Sequence, residues 1–252
     1  MDCGVAPSSA RPCVVGFFAH PDDEAYAAAG TLAQSAAGGA RVVVVAATRG
    51  EAGVDRLRRV PAGSELAALR SAELAESCRA IGAELPRFLD LPDGGVAVED
   101  GVPLIAPLLA DLAPDVVITL GRDGAYGHPD HLATTAMLAE VATCRVLHAV
   151  FPTDHFERLR RRLARVTPLV EVGPLGIPRD EADLVVDITA YRDAKRAALA
   201  AHRSQLATDD PRSFLVPGLI DPLLREEWFV HAGGPALPRG ARSIVDGIEA
   251  RP

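Results

Sequence analysis

Two short polar clusters carry residue types that do chemistry, His20-Pro21-Asp22-Asp23-Glu24 and Gly127-His128-Pro129-Asp130-His131. Zinc takes imidazole nitrogen and carboxylate oxygen as ligands, and in hydrolytic sites three of them leave a further position open for water. His20 and Asp23 are three residues apart, as are His128 and His131, so each pair converges if it sits on the first turn of a helix. Pro21 and Pro129 suit that placement, because proline is tolerated at the first helical position and breaks a helix interior. The competing reading of either cluster alone is a turn followed by a helix cap, with a structural histidine.

Clusters so distant in the chain need a scaffold that brings them together, and the flanking pattern supplies one. Cys13 to Ala19 is a continuous apolar run, as expected of a strand buried on both faces of a parallel sheet. The Ala-rich stretch Glu24 to Ala37, stopped by Gly38-Gly39, predicts a helix, and Arg41 to Thr48 a second buried strand. Ser64 is placed to cap a long helix that carries Leu74, Cys78 and Ile81, with Gly82 near its end. Phe88-Leu89 as strand, Pro103 to Leu112 as helix, Asp115 to Gly121 as strand, His131 to Cys144 as helix and Arg145 to Phe151 as strand continue the alternation. This predicts an α/β fold, a Rossmann-like doubly wound and mostly parallel sheet in the order 3-2-1-4-5 or an extension of it, with helices on both faces. Ligands in such sheets bind beyond the carboxyl ends of the strands, where the order reverses. Strands one and four are neighbours there, so the two clusters meet and form one site.

Beyond Pro152 the pattern loosens. An Arg-rich helix from Phe156 to Val166, read as a solvated face, precedes a Pro/Gly-rich stretch, a strand-like Leu184 to Ile188 and a helix from Tyr191 to about Leu206. A small C-terminal extension follows without diagnostic pattern. The chain is read as a single domain over 1–252 with its core over about 13–206.

Composition removes several function classes. The 34 acidic and 26 basic side chains give a net charge of -8, without the basic footprint of a nucleic-acid or anionic-membrane binder. No run approaches the roughly 18 apolar residues of a membrane span, and Met1 to Cys13 lack a basic segment followed by an apolar one. Cys3, Cys13, Cys78 and Cys144 form no CxxC pair, so neither a zinc ribbon nor a disulfide framework is expected. The expectation is a cytoplasmic protein with no membrane insertion and no nucleic-acid partner, self-association into a homo-oligomer being left open.

Ala19-His20-Pro21-Asp22-Asp23-Glu24, Thr48-Arg49-Gly50-Glu51-Ala52-Gly53 and Tyr126-Gly127-His128-Pro129-Asp130-His131 together resemble the PIG-L/LmbE-like family of zinc-dependent N-acetylglucosamine deacetylases. Arg70-Ser71-Ala72-Glu73, Leu91-Pro92-Asp93-Gly94 and Ala201-His202-Arg203-Ser204-Gln205 add to the likeness. The resemblance implies that His20, Asp23 and His131 bind one Zn2+ per chain, with Fe2+ as the alternative, and that Asp22 is the general base. A bound metal lowers the pKa of water toward about 7 and polarises a carbonyl, which attack on an unactivated amide requires. Immediate neighbours such as Asp22 and Asp23 do not easily turn to the same ion, which agrees with one carboxylate being left for proton transfer. His128 resembles the family histidine that, protonated, stabilises the oxyanion or protonates the leaving amine, with Asp130 holding its ring.

The remaining positions carry two readings each. Tyr126 donates to the same oxyanion or is a loop aromatic packed over the site. Arg70 and Asp93 resemble positions that contact sugar hydroxyls, although Arg70 equally fits a surface ion pair with Glu73. Glu51 lines the pocket or orients a loop, and Glu24 starts a helix where the macrodipole favours negative charge. His202 and Gln205 reach the site or pack a helix.

The reaction so implied is hydrolysis of the N-acetyl or N-acyl group of an N-acetylglucosamine-type moiety in a soluble small-molecule glycoside. Mycothiol- and bacillithiol-pathway deacetylases and antibiotic-tailoring deacetylases share the motifs, and the loop from Gly53 to Gly63, with Arg56, Arg58 and Arg59, is placed to choose among substrates. An amidase of thiol conjugates and a non-catalytic sugar-binding relative are the alternatives. A dinucleotide-binding module fails because the turn after the first strand is AHPDDE rather than GxGxxG. A phosphoesterase is weaker, since those sites commonly use two metals and one clear ligand set is present.

Overall fold

The computed structural model describes residues 11–57, 59–157, 175–214 and 220–249. Strand β1 (Cys13–Phe18) is buried along its whole length, and its side chains alternate between two cores. Val14 and Phe18 enter the core on one face of the sheet, Cys13, Val15 and Phe17 that on the other. Strand β2 (Arg41–Ala46) divides likewise, Val42 and Val44 against Val43 and Val45. The apolar runs are continuous for this reason, since a strand covered on both faces has no solvent side to make polar.

With β3 (Arg87–Phe88), β4 (Val116–Leu120), β5 (Arg145–Val150), β6 (Leu184–Asp187) and β7 (Glu226–Gly233), the sheet runs in the order β3-β2-β1-β4-β5-β7-β6. The expected order is present and extended. Pairing is parallel from β3 to β5, whereas β7 is antiparallel to both β5 and β6. Helices α2 (Ala29–Ala37), α3 (Ser64–Ile81) and α6 (Arg192–Ala201) pack on one face, α4 (Val98–Leu112) and α5 (Pro129–Val141) on the other. The register Val14 to Val116 and Gly16 to Ile118 sets the carboxyl ends of β1 and β4 side by side, where the two polar clusters begin.

Several elements depart from expectation for identifiable reasons. The Ala-rich stretch is two helices, α1 (Asp23–Ala27) and α2, divided at Ala28 with φ −147° and ψ 5°. The break frees the N–H groups of Gly30 and Thr31, which donate to the Glu227 carboxylate at 3.0 and 2.7 Å. That acceptor arrives from β7, and its charge is matched by the fully buried Lys195 of α6 at 2.5 Å. Ser64 is the first residue of α3 rather than its cap; Gly63, at φ 105°, takes the cap position, where a Cβ would be strained. Pro103 does not start α4, which begins at Val98 and includes it. The C-terminal extension supplies β7, an inner strand. The Arg-rich helix expected from Phe156 lies, from residue 158 onward, outside the described residues, as does Arg58. Among the described residues no helix is long and apolar enough to cross a membrane.

Candidate active site

Beyond β1 the chain turns through His20 to Glu24 into α1. Asp22 is the N-cap of α1, with φ 119° and ψ −24°, a conformation sparsely populated by non-glycine residues. An N-cap Asp ordinarily turns its carboxylate back onto its own helix. Here no such bond forms, and Oδ2 lies 3.2 Å from Arg70 Nη2. Pro21 therefore precedes the cap instead of occupying the first helical position, and its carbonyl accepts from Arg70 Nη2 at 2.6 Å. Pro129, by contrast, does open α5, behind His128 as N-cap. The turn before it, Gly124–Gly127, is kinked at Ala125 (φ 63°), which lays the Tyr126 ring edge-on to His128 and His131.

The clusters converge through one histidine from each. His20 Nδ1 lies 3.2 Å from His131 Nε2, and the Asp23 carboxylate lies 3.5 Å from the first nitrogen and 3.3 Å from the second. The outer nitrogen of each ring has an acceptor: Gly124 O at 2.9 Å for His131, and Asp93 at 3.0 Å and Asp130 at 3.2 Å for His20. An imidazole that donates its outer N–H in this way presents the inner nitrogen as a lone pair, the usual support of a metal-ligating histidine.

Two lone pairs so close, beside a carboxylate, call for a cation between them. Burial opposes charge on His20, yet hydrogen bonds to Asp130, Asp23 and Asp93 push its pKa up to about 12. Burial opposes charge on His131 too, and Asp23 overcomes it; burial would raise Asp23, and the two histidines hold it well below the carboxylate range. The pocket attracts positive charge, and two imidazoles with one carboxylate fit a divalent ion of the zinc type. His20 is also in reach of two further donor groups, one with His128 and His131 and one with Asp93 and Asp130, their ligand atoms lying within 4.8 Å of one another.

The structure corrects the expected partner of His128. Asp130 does not hold its ring: Oδ2 accepts from Gly94 N at 2.7 Å and Oδ1 from Val96 N at 3.1 Å, besides the contact with His20. Burial opposes ionisation of Asp130, but His20 and these N–H groups hold its pKa at about 2. His128 Nδ1 instead accepts the backbone N–H of Asp130 at 3.2 Å. Burial and the neighbouring His131 and His20 push the His128 pKa down, so a neutral ring with its proton on Nε2 suits this setting better than an imidazolium. Tyr126 is 40% exposed at the rim. Its phenol is pushed up by burial and by Asp23 and Asp22, which keeps it a donor.

The other candidates hold the site together. Asp93 Oδ1 meets His20, and Oδ2 accepts from Ala52 N at 2.8 Å. Glu51 Oε1 accepts from Asp93 N at 2.9 Å, which orients the Leu91–Gly95 loop. Arg70 is only 4% exposed and forms no ion pair with Glu73, whose carboxylate accepts from Ser204 N and Oγ. Gln205 bonds Ser204 Oγ and Val54 O, so it does not reach the site. Glu24, read as a helix start, is fully buried and accepts from Asp22 N, Ser77 Oγ and His202 Nε2. Sequence reasoning missed this link because it joins three segments far apart in the chain.

Gly50 explains part of the Thr48 to Gly53 motif. Its carbonyl accepts from Arg70 Nη1 at 3.0 Å, and at φ 71° an added Cβ would overlap that same nitrogen. Gly50→Ala therefore has to displace the guanidinium that faces Asp22. The expected result is a kcat about 100-fold lower with metal content unchanged; wild-type kcat in that variant would show that Arg70 does not need its present position.

Residues 15–142, which carry both clusters, match the PIG-L family, described as GlcNAc-PI de-N-acetylase. The chain belongs to the PIG-L family. A curated relative of this PIG-L chain, the 1D-myo-inositol 2-acetamido-2-deoxy-alpha-D-glucopyranoside deacetylase of Saccharomonospora viridis, is 34% identical over 86% of the chain and 94% of its own length. The conserved protein TT1542 from Thermus thermophilus is 26% identical, covering 91% of the PIG-L chain and 99% of its own, with a TM-score of 0.62. GalB, the 4-carboxy-2-hydroxymuconate hydratase of Pseudomonas putida, is 18% identical over 91% of this chain and 100% of its own, with a TM-score of 0.67. This last likeness is one of fold alone. Since one fold hosts different reactions, the chemistry has to be read from the site.

Proposed function

We propose that this chain hydrolyses the N-acetyl group of an N-acetylglucosamine-type moiety in a small-molecule glycoside. The observation that carries the proposal is the convergence of His20 Nδ1, Asp23 and His131 Nε2 beside an Asp22 carboxylate turned away from its own helix. The Saccharomonospora viridis relative, matched over most of both chains, supports the 2-acetamido-2-deoxyglucosyl inositol as the first substrate to test.

A zinc or ferrous ion held by His20, Asp23 and His131 would supply Lewis acidity and lower the pKa of water. Asp22 is the general base. Burial lifts its pKa up to about 6 while Arg70 draws it down, and added positive charge in the triad favours the carboxylate further. Asp22 takes a proton from the attacking water as the water oxygen bonds to the acetyl carbon, and returns a proton to nitrogen as the C–N bond breaks, giving acetate and an amine. His128 Nε2–H and Tyr126 O–H are the donors offered to the amide oxygen as it gains negative charge. Asp93 and Asp130 keep His20 Nδ1 turned into the triad, and Arg70 keeps Asp22 off the helix end. Glu51 Oε2 makes no hydrogen bond among the described residues, and we assign it the contact with a sugar hydroxyl.

The test is acetate release from the N-acetylglucosaminyl inositol, from N,N'-diacetylchitobiose and from an N-acetylglucosaminyl glycopeptide antibiotic. The expected result is measurable release, with the highest kcat/KM on the inositol glycoside. Metal-loaded protein that releases acetate from none of them, yet cleaves an acylated thiol conjugate or merely binds the sugars, would overturn the proposal.

A further inference from the structure

Glu24 lies inside the first cluster and is fully buried, and among the described residues its carboxylate makes no hydrogen bond to His20, Asp23 or His131. Its Oε2 accepts the N–H of Asp22 at 3.0 Å, and its Oε1 accepts from Ser77 Oγ at 2.5 Å and from His202 Nε2 at 2.7 Å. His202 comes from the turn that ends α6 and is fully buried. Its Nδ1 is buried without a hydrogen-bond partner among the described residues. An imidazole kept only for packing is better replaced by an apolar side chain, because an orphaned buried nitrogen is unfavourable. The contact with Glu24 is what remains to justify it.

We propose that His202 is a positioning residue for the general base, acting through Glu24. Fixed by His202 and Ser77, the Glu24 carboxylate pins the N–H of Asp22 and so holds that residue at φ 119°, where its side chain faces Arg70. Without a rigid acceptor for that N–H, Asp22 relaxes toward an ordinary N-cap and turns its carboxylate back to the free N–H groups of α1. The turn carrying His202 is anchored separately, through Ser204 N and Oγ on the Glu73 carboxylate at 2.7 and 2.6 Å. Removing the imidazole therefore does not by itself undock the turn. The inference rests on the assignment of Asp22 as base.

The test is a double-mutant cycle on acetate release from the N-acetylglucosaminyl inositol, with metal content and Tm measured on every variant. His202→Leu is expected to lower kcat about 100-fold, with KM and metal per chain unchanged. His202→Gln, which restores a donor toward Glu24, is expected to recover most of that loss. In the Asp22→Asn background His202→Leu is expected to cause no further loss, since no base is left to position. If His202→Leu fails to fold, His202→Asn, polar but too short to reach Glu24, replaces it in the cycle. Unchanged kcat in the single variant, or a full additional loss in the Asp22→Asn background, would overturn the inference. Turnover retained by Asp22→Asn alone would instead remove the base assignment, so the two failures are distinct.

Discussion

Asp22→Asn is expected to keep its metal and lose about 10²- to 10⁴-fold in kcat, with little change in KM. The substitution is nearly isosteric, and asparagine tolerates the left-handed region better than most residues, so the turn survives it. The amide oxygen still accepts from Arg70. The three candidate ligands are untouched, and only the ability to take a proton is lost. Near-wild-type turnover measured with a full complement of metal would show that another group removes the proton.

His131→Ala is expected to lose both metal and turnover. His131 is 1% exposed, and its Nε2 sits 3.2 Å from His20 Nδ1 and 3.3 Å from Asp23. Its removal leaves one imidazole and one carboxylate, short of the three ligands a catalytic zinc uses. His128→Ala gives the contrast. It is expected to keep metal while losing about 10²- to 10³-fold in kcat, the usual cost of a donor to a developing oxyanion. Elemental analysis of the two purified variants separates the roles. Equal metal loss in both would make His128 a ligand, a role compatible with its distance from His20 and His131.

Much of the scaffold was legible because the cause is local. The runs in β1 and β2 are apolar since both faces of the sheet are covered, and the strand order places the cluster after β1 beside that after β4. The histidine and aspartate triad follows from that order together with the placement of Asp23 at the start of α1 and His131 near the start of α5. What was not legible depends on partners distant in sequence. Nothing near Ala28 announces that Glu227 of β7 will take the N–H groups of α2. Asp130 stands two residues from His128, which suggested that it supports that ring, but its side chain points to the Gly94–Val96 backbone and to His20. Local sequence marks Glu24 only as a dipole-favoured helix start, because its partners Ser77 and His202 come from α3 and from the end of α6.

Arg70 is a second case in which distant partners decide the side chain's direction. A residue three positions before a glutamate on a helix suggests a surface pair, yet burial turns Arg70 inward to Pro21, Gly50 and Asp22. Burial of a guanidinium needs several acceptors converging from separate segments, and one helix cannot signal them.

Under the proposed function, this site hydrolyses an acetamido sugar with one divalent ion held by His20, Asp23 and His131. Metal content and acetate release from the N-acetylglucosaminyl inositol are measured together on one wild-type sample, before chelation, after it and after readdition of zinc or ferrous iron. The expected result is about one ion per chain, with activity that falls with the metal and returns with it. Full activity in metal-free protein, or no ion bound at saturating zinc, would contradict it.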